Sequence, residues 1–91
     1  MDLSELQRAV KEKYYSTDEK SGPLFLLAVL FEEVGELAEA VRKNDAEGIE
    51  EELADVLFMI LSLANLFGIE PEKRLIEKYI KDDPSERWDL P

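Results

Sequence analysis

The sequence predicts an all-α protein, a four-helix antiparallel bundle-like protomer. Three observations predict it. Helix-forming residues dominate a chain of 91 residues that holds only four Gly and four Pro. No segment alternates apolar and polar residues with period two, and apolar residues instead recur every three or four positions in successive stretches. Residues 1–91 are read as one domain, because a second core has no room in this length. A chain this short buries a modest share of its surface alone, and without cysteine it has no disulfide to compensate, so association with further copies is predicted.

The first helix is placed at about residues 3–15, after Asp2 or Ser4 as N-cap, with Leu3, Leu6, Val10 and Tyr14 on one apolar face. The stretch STDEKSG, residues 16–22, is read as the break. A second helix, 23–43, opens with Pro23 at its first position and closes near Lys43, whose charge suits a C-terminus. Asn44 and Asp45 form the turn. The third helix, 46–67, carries Glu47, Glu50, Glu51 and Glu52 in its early turns and stops at Gly68. The fourth opens at Pro71 and fades near Asp82, and the tail 83–91 is expected to be extended, laying Trp88 on a neighbouring subunit. Short connections between the last three helices favour antiparallel neighbours.

Asp and Glu outnumber Lys and Arg by 22 to 11, and the resulting charge of −11 argues against binding a nucleic-acid polymer through its backbone. A smaller polyanion is still admissible if divalent cations stand between it and the protein. The longest nearly apolar stretch, residues 56–69, falls short of the ~18 to 20 residues of a membrane span. The first residues lack the basic and apolar regions of a signal peptide, so a cytoplasmic location is expected.

Helical projection separates four acids from the rest. On the second helix, Leu26, Leu27, Leu30, Val34, Leu37 and Val41 share one arc, and Glu33 falls between Ala40 and Leu26 at its border, with Glu36 one turn on. On the third, the arc centres on Ile49, Val56, Ile60, Leu63 and Phe67, with Glu52 inside it and Asp55 beside Ser62 and Leu66. On facing antiparallel helices these pairs converge, and their mutual repulsion requires a neutralising charge. No Lys or Arg is projected onto these arcs near the four acids. The chain has no His or Cys, so an all-oxygen site points to a hard cation, Mg²⁺ or Mn²⁺. The competing reading is a solvated acidic face.

The segments FEEVGELAEAV (31–41) and EELADVLFMILSLANLFGIE (51–70) resemble the MazG-like nucleotide pyrophosphohydrolases, an all-α NTP pyrophosphatase superfamily with an EExxE motif followed by ExxD. Glu32, Glu33 and Glu36 stand in the first motif and Glu52 and Asp55 in the second. The resemblance implies hydrolysis of a nucleoside triphosphate between its α and β phosphates, clearing non-standard or excess nucleotides. It implies Glu33, Glu36, Glu52 and Asp55 as Mg²⁺ ligands. Glu32 is the candidate base, although its projected angle turns away from the ligands. Lys78, Lys81 and Arg87 are the candidate phosphate contacts, with Asp82 standing where the family would suggest an amide. A homo-oligomer is implied, a tetramer before a dimer. The alternatives are a phosphoribosyl-ATP pyrophosphohydrolase, or a non-catalytic acidic helical interaction module.

Overall fold

In the computed structural model, which describes residues 1–82, the chain enters its first helix at Asp2. The Asp2 carboxylate accepts the Glu5 N–H at 2.8 Å, and Glu5 reaches back to the Asp2 N–H, a reciprocal cap that satisfies two donors of the first turn. Helix α1 then spans Leu3–Ser21. It is longer than the sequence predicts: residues 16–21 continue the helix, because nothing in STDEKS forces the backbone out of helical angles. The break comes at Gly22, whose φ of 85° is accessible without a side-chain clash and whose N–H closes on the Asp18 carbonyl at 2.9 Å.

Pro23 follows at the first position of α2, Pro23–Arg42. At Asn44 the backbone passes through the left-handed region, φ 54°, and Asp45 caps α3, Ala46–Phe67, by accepting the Gly48 N–H at 3.2 Å. Gly68 ends α3 in the left-handed conformation, φ 65°. Helix α4, Pro71–Leu75, runs into one π-type turn, Ile76–Ile80, closed by the Lys81 N–H on the Ile76 carbonyl at 3.0 Å. The predicted fourth helix of 71–82 is therefore a short α segment with a π turn. The expected extended tail, with Trp88, lies outside the described residues.

Helix α3 is central and packs against both α1 and α2. The α1–α3 pairing is antiparallel, tied at one end by a buried amide pair. Gln7 Nε2 donates to Asn65 Oδ1 at 3.0 Å and to the Ile69 carbonyl at 2.7 Å, and Asn65 Nδ2 returns a bond to the Gln7 carbonyl at 3.2 Å. Two turns along, the Tyr14 and Phe58 rings meet edge to face, centroids 5.0 Å apart. Glu72 pins α4 to the start of α1, accepting the Leu3 N–H at 3.1 Å and the Ser4 hydroxyl at 2.8 Å. Gly48 on α3 lies close to α2, since an added Cβ there would stand 3.3 Å from the Ala40 Cβ.

The predicted inward arcs need correction. On α3 the buried residues are Met59, Leu61, Ser62 and Asn65, whereas Ile60 and Phe67 are exposed. Leu6 on α1 and Val34 and Val41 on α2 are exposed as well. Contact with α1 rotates the buried side of α3 toward Leu61 and Asn65, so much of the apolar arc faces outward.

Candidate metal centre

The α2–α3 hairpin brings Glu33, Glu36 and Glu52 together. Each of the three offers a carboxylate oxygen, all within 4.8 Å of one another. Glu33 and Glu36 share a face because three residues make nearly one helical turn, and the antiparallel return of α3 sets Glu52 opposite them. Glu33 and Glu52 are half-buried and Glu36 is exposed. One oxygen of Glu33 and one of Glu52 are buried and meet no donor from the rest of the protein, so only a proton shared between the two carboxyls or a cation can satisfy them. An orphaned carboxylate oxygen is costly unless a proton or a cation meets it.

The electrostatics follow from that crowding. The Glu52 carboxyl is pushed up to about 7, first by a hydrogen bond shared with Glu33, then by burial, then by the charges of Glu36, Glu33 and Asp55. Every charge acting on Glu52 is negative. Asp55 is half-buried and contributes to this repulsion, although it stands outside the tight group of three. Glu32, one residue before Glu33, is exposed and also outside that group.

One feature of the cleft is not anticipated by the sequence. Glu36, Glu39, Ala40, Lys43, Asp45, Gly48 and Glu52 line an open cleft of about 410 Å³. Lys43 stands two turns from Glu36 on the same stripe of α2, at the far side of the cleft, and is not among the charges that act on Glu52. Its ammonium is held by Glu39 at 2.7 Å, and this bond lowers the Glu39 carboxyl and raises the Lys43 amine. The i, i+4 spacing of Glu39 and Lys43 was the available signal.

Chemically, three clustered carboxylates with two orphaned buried oxygens form a hard, all-oxygen donor set. A family model of the MazG nucleotide pyrophosphohydrolase domain matches residues 21–86, most of the chain. The chain belongs to the MazG family. It is accordingly a nucleotide pyrophosphohydrolase, a hydrolase acting on phosphoric anhydrides, and the non-catalytic module is set aside. The chain is also 36% identical to the uncharacterized protein YpjD of Bacillus subtilis (strain 168), over 86% of its own length and 76% of that protein.

Within this MazG domain, the proposed phosphate contacts are placed less favourably than the acids. Lys78 lies in the π turn, half-buried, with its ammonium 5.4 Å from the Tyr79 ring centroid. Lys81 is exposed just beyond that turn. Neither is among the charges that act on Glu52. Arg87 lies outside the described residues. Among the described residues no single helix is long and apolar enough to cross a membrane.

Proposed function

We propose that the chain is a Mg²⁺-dependent nucleoside triphosphate pyrophosphohydrolase, releasing the nucleoside monophosphate and pyrophosphate, with Mn²⁺ as a substitute ion. The observation that carries this reading is the pair of orphaned buried oxygens on Glu33 and Glu52 inside the three-carboxylate group. In this reading Glu33, Glu36, Glu52 and Asp55 hold the metal. When bound, the ion neutralises phosphate charge, which lets an anionic substrate approach an acidic wall.

The chain's own residues do the rest. Their carboxylates fix the donor set on two helices whose spacing is held by the Gly48–Ala40 approach. Glu32 is the proposed acceptor of the proton lost by the attacking water, whose oxygen bonds to the α phosphorus as the bridging oxygen leaves with pyrophosphate. Lys43 shares the cleft with Glu36 and Glu52 and is the cation best placed to meet a phosphate, exchanging its bond to Glu39 for the substrate. Lys78, Lys81 and Arg87 remain proposed contacts of second rank. We further propose clearance of non-standard or excess nucleotides, a cytoplasmic location, and a homo-oligomer, either a dimer or a tetramer built from dimers.

A panel of nucleoside triphosphates with Mg²⁺, together with phosphoribosyl-ATP, tests the reading through the inorganic product. Pyrophosphate release from a triphosphate is expected. Orthophosphate alone would overturn α–β cleavage, and turnover confined to phosphoribosyl-ATP would transfer the assignment to that substrate.

A further inference from the structure

Where α1 meets the end of α3 and the connection to α4, the chain forms a small cavity. Gln7, Arg8 and Lys11 of α1 line it, with Asn65 of α3 and Ile69 and Glu70 of the connection. Its volume of about 170 Å³ is below the ~300 Å³ at which sites for drug-sized ligands begin. It is too small for a nucleoside triphosphate and suits a molecule of a few heavy atoms. Along α3, Asn65 lies about 20 Å from Glu52 at 1.5 Å per residue, so the cavity is separate from the metal centre.

The groups around this cavity have unmet demands of two kinds. Gln7 is 5% exposed, and its Oε1 is buried without a partner. Turning the amide over brings no relief, because Nε2 already meets two acceptors, Asn65 Oδ1 and the Ile69 carbonyl, and an oxygen placed there would face both. Gln7 Oε1 therefore calls for a donor. Arg8 makes no hydrogen bond or ion pair among the described residues, and Lys11 rests only over the Tyr15 ring, 5.2 Å from its centroid. These are two uncommitted cations one turn apart, in a chain where acids outnumber bases by 22 to 11. They call for an anion. Glu70 is exposed and adds one carboxylate to the wall.

Together these demands define a ligand. A plain anion drawn by Arg8 and Lys11 also meets the Glu70 carboxylate and brings Gln7 Oε1 no donor. A plain amine suits Gln7 and Glu70 but is repelled by the two cations. A molecule with an ammonium and a carboxylate close together meets neither penalty. We infer that this cavity binds a small zwitterion, a free α-amino acid with a short side chain. Its ammonium donates to Gln7 Oε1 and Glu70, and its carboxylate is held by Arg8 and Lys11. Such a ligand ties α1 to the α3–α4 connection, beside the junction that Glu72 bridges through the Leu3 N–H and the Ser4 hydroxyl. The inference does not rest on the pyrophosphohydrolase reading.

Titration of the full chain with glycine, followed by amide proton–nitrogen NMR spectra, tests it. Glycine and L-alanine should give saturable shifts at the Gln7 side-chain amide and at the Ile69 and Glu70 amides, and none at Glu33, Glu36 or Glu52. Acetate and methylammonium, each with one of the two charges, should bind at least about tenfold more weakly. L-Tryptophan exceeds the cavity and should not bind. Arg8→Ala, at an exposed position, should lower glycine affinity by about tenfold and leave pyrophosphate release unchanged. Glu70→Gln should weaken glycine and strengthen acetate.

Equal binding of acetate and glycine would reduce the site to an anion-binding surface and overturn the zwitterion. L-Tryptophan binding as well as glycine would overturn the cavity as the site. No saturable shift with any probe at millimolar concentration overturns the inference outright. Loss of pyrophosphate release in Arg8→Ala would assign Arg8 to the nucleotide and overturn the separation of the two sites. The pyrophosphohydrolase reading survives each of these outcomes, because it is tested by the inorganic product of the unmodified chain.

Discussion

Glu52 carries two opposed requirements, and its proton decides which is met. Without metal its folded-state carboxyl titrates near 7, above the ordinary 4.5, so the folded chain binds this proton more tightly than the unfolded chain does. The stabilisation it brings is complete below about 4.5 and is lost as pH rises through about 7. The metal-free chain should therefore lose thermal stability across that window, and Mg²⁺ should restore it at pH 7 to 8 by binding the folded state. A flat melting profile over the same range would contradict this. Glu52→Gln removes the charge while keeping the shape. It should raise metal-free stability at pH 8, abolish the Mg²⁺ response and lower pyrophosphate release by at least the ~100-fold that even an outer-shell defect can cost. A variant that keeps its turnover would remove Glu52 from the site. The grouping of Glu33, Glu36 and Glu52 was legible because Glu33 and Glu52 interrupt apolar arcs, a conflict visible in projection. Lys43 was not, since its partner Glu39 makes it look like any surface pair on a last turn. Gln7 was hidden for the opposite reason: its amide is buried on α1 because Asn65 and the Ile69 carbonyl meet it, and a partner 58 residues away leaves no local pattern.

At the level of elements, the ends of helices are set by a few backbone positions, and these give separable predictions. Asp2→Ala deletes the acceptor for the Glu5 N–H and should destabilise by about 1 kcal/mol. Gln7→Ala leaves Asn65 Oδ1 and the Ile69 carbonyl without their buried donor and should cost about 2 kcal/mol. Both are read from urea unfolding midpoints, and neither should alter the Mg²⁺ response, because the affected groups act on helix docking away from the carboxylates. A loss of metal response in Gln7→Ala would show that the α1–α3 clamp also shapes the site. Helix starts at Pro23 and Pro71 and the stop at Gly68 were readable from residue type, since proline and glycine act through their own backbone geometry. The run 16–21 was misread because Ser, Thr and Asp have modest helix propensity, yet none of them breaks a helix that is already running from Leu3. The direction of the α3 arc failed for a related reason. Periodicity reports how many positions are apolar, and it does not say which of them face α1, α2 or another copy.

For the whole molecule, the decisive balance is between an acidic surface and an uncovered apolar face. A net charge of −11 on 91 residues opposes association over a distance that salt controls, about 30 Å at 0.01 M and about 8 Å at 0.15 M. Burying exposed apolar side chains of α3 such as Leu53, Leu57 and Phe67 in the proposed oligomer would contribute attraction that salt does not screen. Raising NaCl from 10 to 150 mM should therefore tighten the proposed association, by about tenfold if the screened repulsion is near 1.4 kcal/mol. Association of the kind proposed should make the melting temperature rise with protein concentration at either salt level, because it stabilises only the folded chain. Sedimentation equilibrium at the two ionic strengths measures the first effect and a dilution series of melting curves the second. Weakening by salt would mean that ion pairs, and not exposed apolar residues, hold the proposed oligomer together. It would then direct the search for the interface to the charged stripes, where Lys43 and Glu39 already pair within one chain.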